Sequence, residues 1–196
     1  MKKNILILLG HPNSETLSSH FADVYEKSAR DAGHEVRRTN LGELQFDPIL
    51  HKGYRAIQAL EPDLLKLQED MKWSTHFVLI YPLWWLSMPA LLKGLIDRIW
   101  LPGFAFRYHK SKSGKRQLGW DRLLKGRSAR VVTLLNAPPF LEYIAFGDYM
   151  NELVHGTLGF AGFKTHVTKI GNSESLTPAQ VAKWDAKLAA LAVKAK

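Results

Sequence analysis

Two adjacent tryptophans, Trp84 and Trp85, lie in the stretch YPLWWLSMPALLKGLIDRIW. Pro82 and Pro89 restrict the backbone on either side of them, between an apolar run and a helix-like pattern. Two tryptophans on such a loop either pack in the core or present their flat faces to a ligand. Aromatic walls together with backbone N–H groups suit a planar heterocycle. The stretch alone leaves both interpretations open.

A second polar stretch, GHPNSETLS at 10–18, leads from an apolar run into a helix-like pattern. The free N–H groups in the first turn of a helix bind anions, most often a phosphate. His11 adds a hydrogen-bond donor or a positive charge, and we expect Ser14, Thr16 or Ser18 to cap the helix. The patterns GxxxxGK[ST] and GxGxxG are absent, so the stretch is neither a P-loop nor a Rossmann fingerprint.

A third stretch, NAPPFLEY at 136–143, offers Asn136 and Tyr143 as hydrogen-bonding side chains beside two prolines. Other residue classes give no competing chemistry. The chain has no cysteine, which excludes disulfides, thiolate metal sites and cysteine nucleophiles. Its histidines are scattered and no HExxH occurs, so no metal site is predicted.

The elements that must position these stretches alternate between strand and helix patterns. Buried strands are expected at 5–9, 75–83 and 128–136, and further strands at 34–41 and 164–170. Helices are expected from Leu17 to Gly33, near 62–72, at Met88–Trp100, near 147–158 and after a capping box at Thr177, Pro178 and Gln180. The helix Met88–Trp100 would present Lys93, Gly94, Asp97 and Arg98 on a polar face.

This alternation predicts an α/β fold over residues 1–196, as one domain with a parallel sheet between two helical layers. Five strands favour a three-layer, flavodoxin-like fold with strand order 2-1-3-4-5. Ligands of such sheets bind at the carboxyl ends of strands 1, 3 and 4, where 10–18, 82–88 and 136–143 would meet. A phosphate on the first stretch and a planar ring between the other two describe a flavin nucleotide.

The formal net charge of +9 is concentrated in residues 107–127, which hold eight lysines or arginines and one aspartate. This segment is either a basic rim that attracts an anionic substrate or cofactor, or a solvated loop. No nucleic-acid module accompanies it, so nucleic-acid binding is not expected. The apolar run Ile5–Leu9 is too short for a signal peptide, and no run approaches the roughly 20 residues that span a bilayer. We therefore expect a cytoplasmic protein.

Nearly the whole chain resembles the NAD(P)H:quinone oxidoreductase family of flavodoxin-like flavoproteins. YPLWWLSMPALLKGLIDRIWLPGFAF resembles the family's signature, HPNSETLS its phosphate loop and NAPPFLEY its third flavin loop. The resemblance implies a homodimer that binds FMN, which the short chain favours, or FAD. It also implies two-electron hydride transfer from NAD(P)H through the flavin to a quinone or similar acceptor, with ping-pong kinetics.

The resemblance assigns roles to several groups of residues. The flavin phosphates would be held by His11, Thr16, Leu17 and Ser18. The isoalloxazine ring would lie against Pro82, Leu83, Trp84, Trp85 and Leu86, with Asn136, Ala137 and Pro138 at its pyrimidine end. The substrate would be covered, from the other subunit, by Phe104, Phe106 and Tyr108. The negative charge of the reduced flavin would be stabilised by backbone N–H groups of the third stretch, by Tyr143 or by His155. Of these, Tyr143 is the expected catalytic side chain, as a proton or hydrogen-bond donor beside the flavin.

Two other functions compete with the reductase. Some relatives are regulatory flavoproteins of membrane potassium-efflux transporters, for which residues 107–127 could be the docking surface. A one-electron carrier like flavodoxin is disfavoured, because flavodoxins are usually acidic and a chain of charge +9 would repel the basic faces of their partners.

Overall fold

Two sheets form within the part of the chain that the computed structural model describes, residues 2–111 and 113–195. Their strands are β1 (Asn4–Leu9), β2 (Glu35–Asn40), β3 (His76–Pro82), β4 (Phe106–Lys110), β5 (Arg116–Arg122), β6 (Ser128–Leu134) and β7 (Lys164–Ile170). The helices are α1 (Leu17–Asp31), α2 (Pro62–Trp73), α3 (Ala90–Ile99), α4 (Pro139–Phe146) and α5 (Pro178–Lys194), with a π-helix at Glu152–Gly159. None of these helices is long and apolar enough to cross a membrane.

The larger sheet has the order β2-β1-β3-β6-β7, and all its neighbouring strands run parallel. This confirms the predicted order 2-1-3-4-5 and the flavodoxin-like fold. Along β1, Ile5, Ile7 and Leu9 face one apolar cluster while Leu6 and Leu8 face another. Since successive side chains of a strand point to opposite faces, each face of the sheet has its own core.

Helices cover both faces, as expected. On one face α1 and α5 pack through Phe21, Tyr25 and Leu188, among others. On the other face α2 and α3 pack through Leu64, Met71 and Leu92, among others. The predicted capping box at the start of α5 is confirmed, because Gln180 N–H donates to Thr177 Oγ1 and Thr177 N–H donates to Gln180 Oε1.

Two segments differ from the sequence-based expectation. Part of the basic segment is an antiparallel hairpin of β4 and β5, in which Tyr108 lies opposite Trp120. Lys112, in the same segment, lies outside the described residues. The second half of the stretch 136–143 is the first half of helix α4, where no helix was expected. The helix expected near 147–158 is replaced by the π-helix, which starts later, at Glu152. Every residue of α4 except Glu142 is apolar or aromatic and none is buried, so no alternation of apolar and polar faces marks this helix in the sequence.

The predicted polar face of α3 is wrong at Gly94 and Arg98, which are both buried. A Cβ on Gly94 would lie 2.6 Å from Pro48 Cβ, so glycine lets the segment before α2 approach the helix. The Arg98 side chain is 1% exposed. It donates to both carboxylate oxygens of Glu61 at 3.1 and 2.9 Å, to Ala59 O at 2.7 Å and to Asp47 O. Arg98 therefore holds the irregular segment 47–61 against α3.

We expect Arg98→Met to lower the free energy of unfolding by about 3 kcal/mol, because it leaves Glu61 and two carbonyls without their donor. Urea denaturation measures the change. Lys93→Met on the same helix is the matched control, since it removes a partly exposed pair with Asp97 and should cost less than about 1 kcal/mol. Equal losses for the two variants would contradict the structural role of Arg98.

Candidate functional site

A cleft of about 650 Å³ opens at the carboxyl ends of β3 and β6. Backbone hydrogen bonds continue the sheet just past the strands, from Gly10 N to Ile80 O (2.8 Å) and from Leu83 N to Leu134 O (2.7 Å). The loops after β1, β3 and β6 therefore start at one edge of the sheet. Six residues assigned to the flavin line this cleft, namely Pro82, Leu83, Trp84, Trp85, Leu86 and Asn136.

The two tryptophans lie in a tight turn that exposes them. Trp84 and Ser87 exchange backbone hydrogen bonds of 2.9 and 3.0 Å, which closes a two-residue turn. Trp85 is 100% exposed and Trp84 is 44% exposed. The interpretation that both tryptophans belong to the core is therefore wrong, and their rings are available to a ligand.

The same turn holds two side chains in left-handed backbone conformations. Trp85 has a φ of 51° and Leu86 a φ of 62°, the pattern of a type I′ turn that usually contains asparagine or glycine. Left-handed backbone costs an L-residue roughly 1–2 kcal/mol. Such strain persists where the surrounding structure imposes it and is concentrated at functional sites.

The stretch 10–18 ends in the N-terminus of α1. Thr16 is the N-cap, because its Oγ1 accepts a hydrogen bond of 3.3 Å from Ser19 N. The hydroxyl of Thr16 keeps its own proton for donation to a ligand. Leu17 starts the helix, so its N–H has no carbonyl partner within the helix. The Ser18 side chain is buried, so Ser18 would contribute its backbone N–H, not its hydroxyl, to a ligand at the N-terminus of α1.

His11 links this stretch to the tryptophan turn. Its ring meets the Trp84 ring edge-on, with centroids 5.6 Å apart. Burial lowers the pKa of His11 below its ordinary value, so the ring is neutral near pH 7. Its Nδ1 accepts a hydrogen bond of 2.9 Å from Asn13 N, so the proton of the neutral ring is on Nε2. His11 is thus a neutral donor, not a positive charge.

The third stretch, 136–143, packs closely against Gly171 in the loop after β7. A Cβ at this position would lie 2.8 Å from Ala137 O and 2.6 Å from Pro139 Cδ. Ser173 Oγ donates to Asn136 Oδ1 at 3.2 Å, and Ser173 N–H donates to Leu135 O at 3.0 Å. The loop after β7 therefore holds Asn136 at the cleft.

Six residues that the sequence did not single out also line the cleft, namely Leu134 and Leu135 at the end of β6, and Glu142, Phe146, Ser173 and Glu174. Glu142 and Phe146 are four residues apart on α4, so they share a helix face. Had residues 139–146 been predicted as a helix, Glu142 and Phe146 would have been expected on the same side of it. Ser173 and Glu174 follow β7, at the same edge of the sheet.

Glu142 carries an unsatisfied polar atom. Its Oε2 is buried without a hydrogen-bond partner among the described residues, and so is the hydroxyl of Tyr149. Burial, and then the negative charge of Glu142, raise the pKa of Tyr149. The carboxyl group of Glu142 and the hydroxyl of Tyr149 therefore lie close to each other. Glu142 thus lines one end of the cleft, while its Oε2 is buried inside the protein.

Other assigned residues lie elsewhere. Tyr143 is exposed on α4, whereas Phe104 is 5% exposed and packs edge-on against Trp100 at 6.2 Å. The ring of Phe104 is therefore part of the core. Phe106 and Tyr108 pack against each other at 5.0 Å on the hairpin. Within the described chain, the lining of the cleft includes none of these four side chains.

We expect Trp85→Asn to raise the free energy of unfolding of the ligand-free protein by about 1 kcal/mol, because asparagine tolerates the left-handed conformation. The side chain is fully exposed, so no packing is lost. Thermal and urea denaturation give the value. Ile57→Asn is the control, since Ile57 is fully exposed on backbone without a positive φ and should change little. Unchanged or reduced stability in Trp85→Asn would contradict strain in the turn.

Comparison with known proteins agrees with this architecture. An NAD(P)H oxidoreductase of Escherichia coli, named as uncharacterized, is 28% identical over 85% of this chain and 90% of its own. An FMN-dependent NADH:quinone oxidoreductase of Macrococcus caseolyticus is 29% identical over 53% of this chain and 59% of its own. The structure of an NAD(P)H:quinone oxidoreductase from Methanothermobacter marburgensis has a TM-score of 0.79 and 20% identity, over 99% of this chain and 97% of that one. A family model described as flavodoxin-like fold matches residues 3–192, and the chain therefore belongs to this flavodoxin-like family.

Proposed function

We propose that this protein is a flavin-dependent NAD(P)H oxidoreductase that reduces a quinone or a similar acceptor by two electrons. The observation that carries the proposal is the cleft at the carboxyl ends of β3 and β6, with two exposed tryptophans on a strained turn. A switch-point cleft of this size suits a planar cofactor. The names of the relatives, NAD(P)H oxidoreductase and FMN-dependent NADH:quinone oxidoreductase, support the reaction class.

The residues fit a flavin mononucleotide at the phosphate end. The N-terminus of α1, the hydroxyl of Thr16 and the Nε2–H of His11 form a set of hydrogen-bond donors. A set of donors at a helix N-terminus suits a phosphate dianion. The name of the Macrococcus relative also favours FMN over FAD.

The residues also fit the isoalloxazine ring. Trp84, Trp85 and Leu86 supply an aromatic and apolar wall, and the turn brings its backbone to the cleft. At the other end Asn136 offers an amide and Glu142 an acceptor. The pyrimidine edge of a flavin combines acceptor atoms with one N–H donor. An acceptor-only carboxylate therefore matches the N–H, while Asn136 and the backbone of Ala137 and Pro138 border the remaining atoms.

When bound, the flavin would accept a hydride from NAD(P)H and pass it to the acceptor. The chain's own task is to orient the reactants and to exclude water. The turn fixes the backbone of Trp84 and Trp85 before any ligand arrives, so binding has to order only the side chains. Tyr143 is exposed on α4, the helix that also carries Glu142 and Phe146 of the cleft, and its hydroxyl would hold a proton for the acceptor. NAD(P)H and the acceptor would use one opening in turn, which gives ping-pong kinetics.

A homodimer would complete the site. On α4 the large side chains Phe140, Leu141, Tyr143, Ile144 and Phe146 are all exposed. An apolar patch of this kind beside a cleft is typical of an interface. A second subunit packed there would shield the cleft from water, and its Phe106 and Tyr108 would cover the acceptor. We place the reaction in the cytoplasm, where NAD(P)H is available.

The proposal is tested first by the visible spectrum of the purified protein and by turnover. We expect a yellow protein that releases FMN on heating and oxidises NADH or NADPH when a simple quinone is added. Initial rates at several quinone concentrations should give parallel double-reciprocal lines. A protein that takes up neither FMN nor FAD would contradict the flavin site. A flavin-loaded protein without turnover on either donor would contradict the reductase.

The aromatic wall has a separate test. Replacing Trp84 and Trp85 by alanine is expected to weaken FMN binding by about tenfold or more, because two ring contacts are lost. The melting temperature of the apoprotein should change less than the affinity for FMN, since Trp85 is fully exposed and Trp84 is nearly half exposed. Fluorescence titration and thermal denaturation measure the two effects. The control replaces Tyr54 and Ile57, which are exposed elsewhere, and should leave FMN affinity unchanged. A large loss of apoprotein stability with unchanged affinity would restore the core interpretation of the tryptophans.

A further inference from the structure

The β4–β5 hairpin carries a cluster of positive charges that the rest of the protein does not neutralise. Its described basic side chains are Arg107, Lys110, Lys115, Arg116 and Arg122, all of them exposed. Among the described residues none of them forms an ion pair with a carboxylate. The single carboxylate of the hairpin, Asp121, is held by His109 at 3.1 Å.

Basic residues elsewhere in the protein are paired far more often. Each of these lies within 3.0 Å of a carboxylate: Lys2, Lys27, Arg30, Arg37, Lys66, Lys93 and Arg98. A solvated face of a protein usually mixes both signs of charge. The hairpin departs from this pattern, so its charges point to an anionic partner.

The hairpin is a rigid platform, not the solvated loop that the sequence allowed. The Trp120 ring stacks on Phe160 with centroids 4.2 Å apart and planes 13° apart. Trp120 Nε1–H donates to Phe160 O at 2.9 Å, and Phe106 meets the same phenylalanine edge-on at 5.1 Å. These contacts join the base of the hairpin to the segment that follows the π-helix.

Beyond this base, one face of the hairpin combines an apolar side chain with cations. Leu118 is fully exposed. Arg116 and Leu118 alternate along β5 and so share a face, and Lys110 lies opposite Arg116 in the register. The Arg116 guanidinium lies 3.5 Å above the centre of the Tyr108 ring, a cation–π contact that positions this cation on the hairpin. Lys115 is exposed in the turn just before β5.

The combination of cations with one exposed leucine favours some classes of partner over others. Nucleic acid would use the charges but would gain nothing from Leu118. A stable protein interface buries about 800 Å² per partner around an apolar centre, which one leucine on a two-stranded hairpin does not supply. A bilayer of anionic lipid needs only clustered cations and a side chain that enters the interface.

We propose that the hairpin docks this protein on an anionic lipid bilayer. Leu118 enters the headgroup region, and Lys110, Lys115 and Arg116 meet the lipid phosphates. Docking in this way would bring the protein to acceptors dissolved in the membrane. The proposal does not depend on the flavin chemistry, because vesicle binding is measured without NAD(P)H or an acceptor.

The test is sedimentation of the full chain with vesicles of phosphatidylcholine alone or mixed with phosphatidylglycerol. We expect binding only to the mixed vesicles, and release at high salt. Each cation near an anionic surface contributes about fivefold in affinity, so replacing Lys110, Lys115 and Arg116 by glutamine should weaken binding by roughly a hundredfold. The matched control replaces the exposed Lys52, Lys183 and Lys194 by glutamine and removes the same charge from elsewhere.

The apolar contact has its own pair of variants. Leu118→Ser should weaken vesicle binding several-fold, and Ile57→Ser, at an equally exposed position, should not. Circular dichroism confirms that each variant is folded. Equal losses in the hairpin and control triple variants would overturn the proposal, as would failure of the unaltered protein to bind the mixed vesicles. Release from vesicles by millimolar inorganic phosphate at constant ionic strength would show a site for free anions and would also overturn it.

Discussion

The parallel register of β1, β3 and β6 is the constraint on which the site depends. It pairs Leu9 with Ile80 and Ile80 with Val132, so the three strands end at nearly one level. The hydrogen bonds made by the N–H groups of Gly10 and Leu83 carry the ladder one residue further. Three loops from distant parts of the chain therefore begin side by side, and their polar groups need no other scaffold to meet.

Backbone strain beside this edge is a second element of the site. The turn that holds Trp85 and Leu86 in left-handed conformations is anchored by the sheet on one side and by Pro89 and α3 on the other. An exposed tryptophan on strained backbone adds nothing to the stability of the ligand-free fold. The position is explained if the ring stabilises a bound ligand. The protein then loses some folding stability and gains a binding site whose backbone is already formed.

The sequence predicted what local chemistry determines. The strand at 164–170 matches β7, and Thr177 with Gln180 forms the expected cap, because hydrophobic patterning and capping act over a few residues. Burial of Arg98 depends on Glu61 and Ala59, which are far away in sequence, and no local pattern reveals such a contact. Helix α4 buries none of its side chains, so Glu142 and Phe146 could not be assigned to the cleft from periodicity.

The hairpin lies outside the hydrogen-bond ladder of the five-stranded sheet, and its Phe106 and Trp120 pack on Phe160. Its strands can therefore lengthen, shorten or change charge without shifting the register that assembles the cleft. The cations and the leucine proposed to meet a bilayer are thus separate in the chain from the residues that line the cleft. In evolution, such a division allows a lineage to move this fold between surfaces while the reaction centre stays under its own selection.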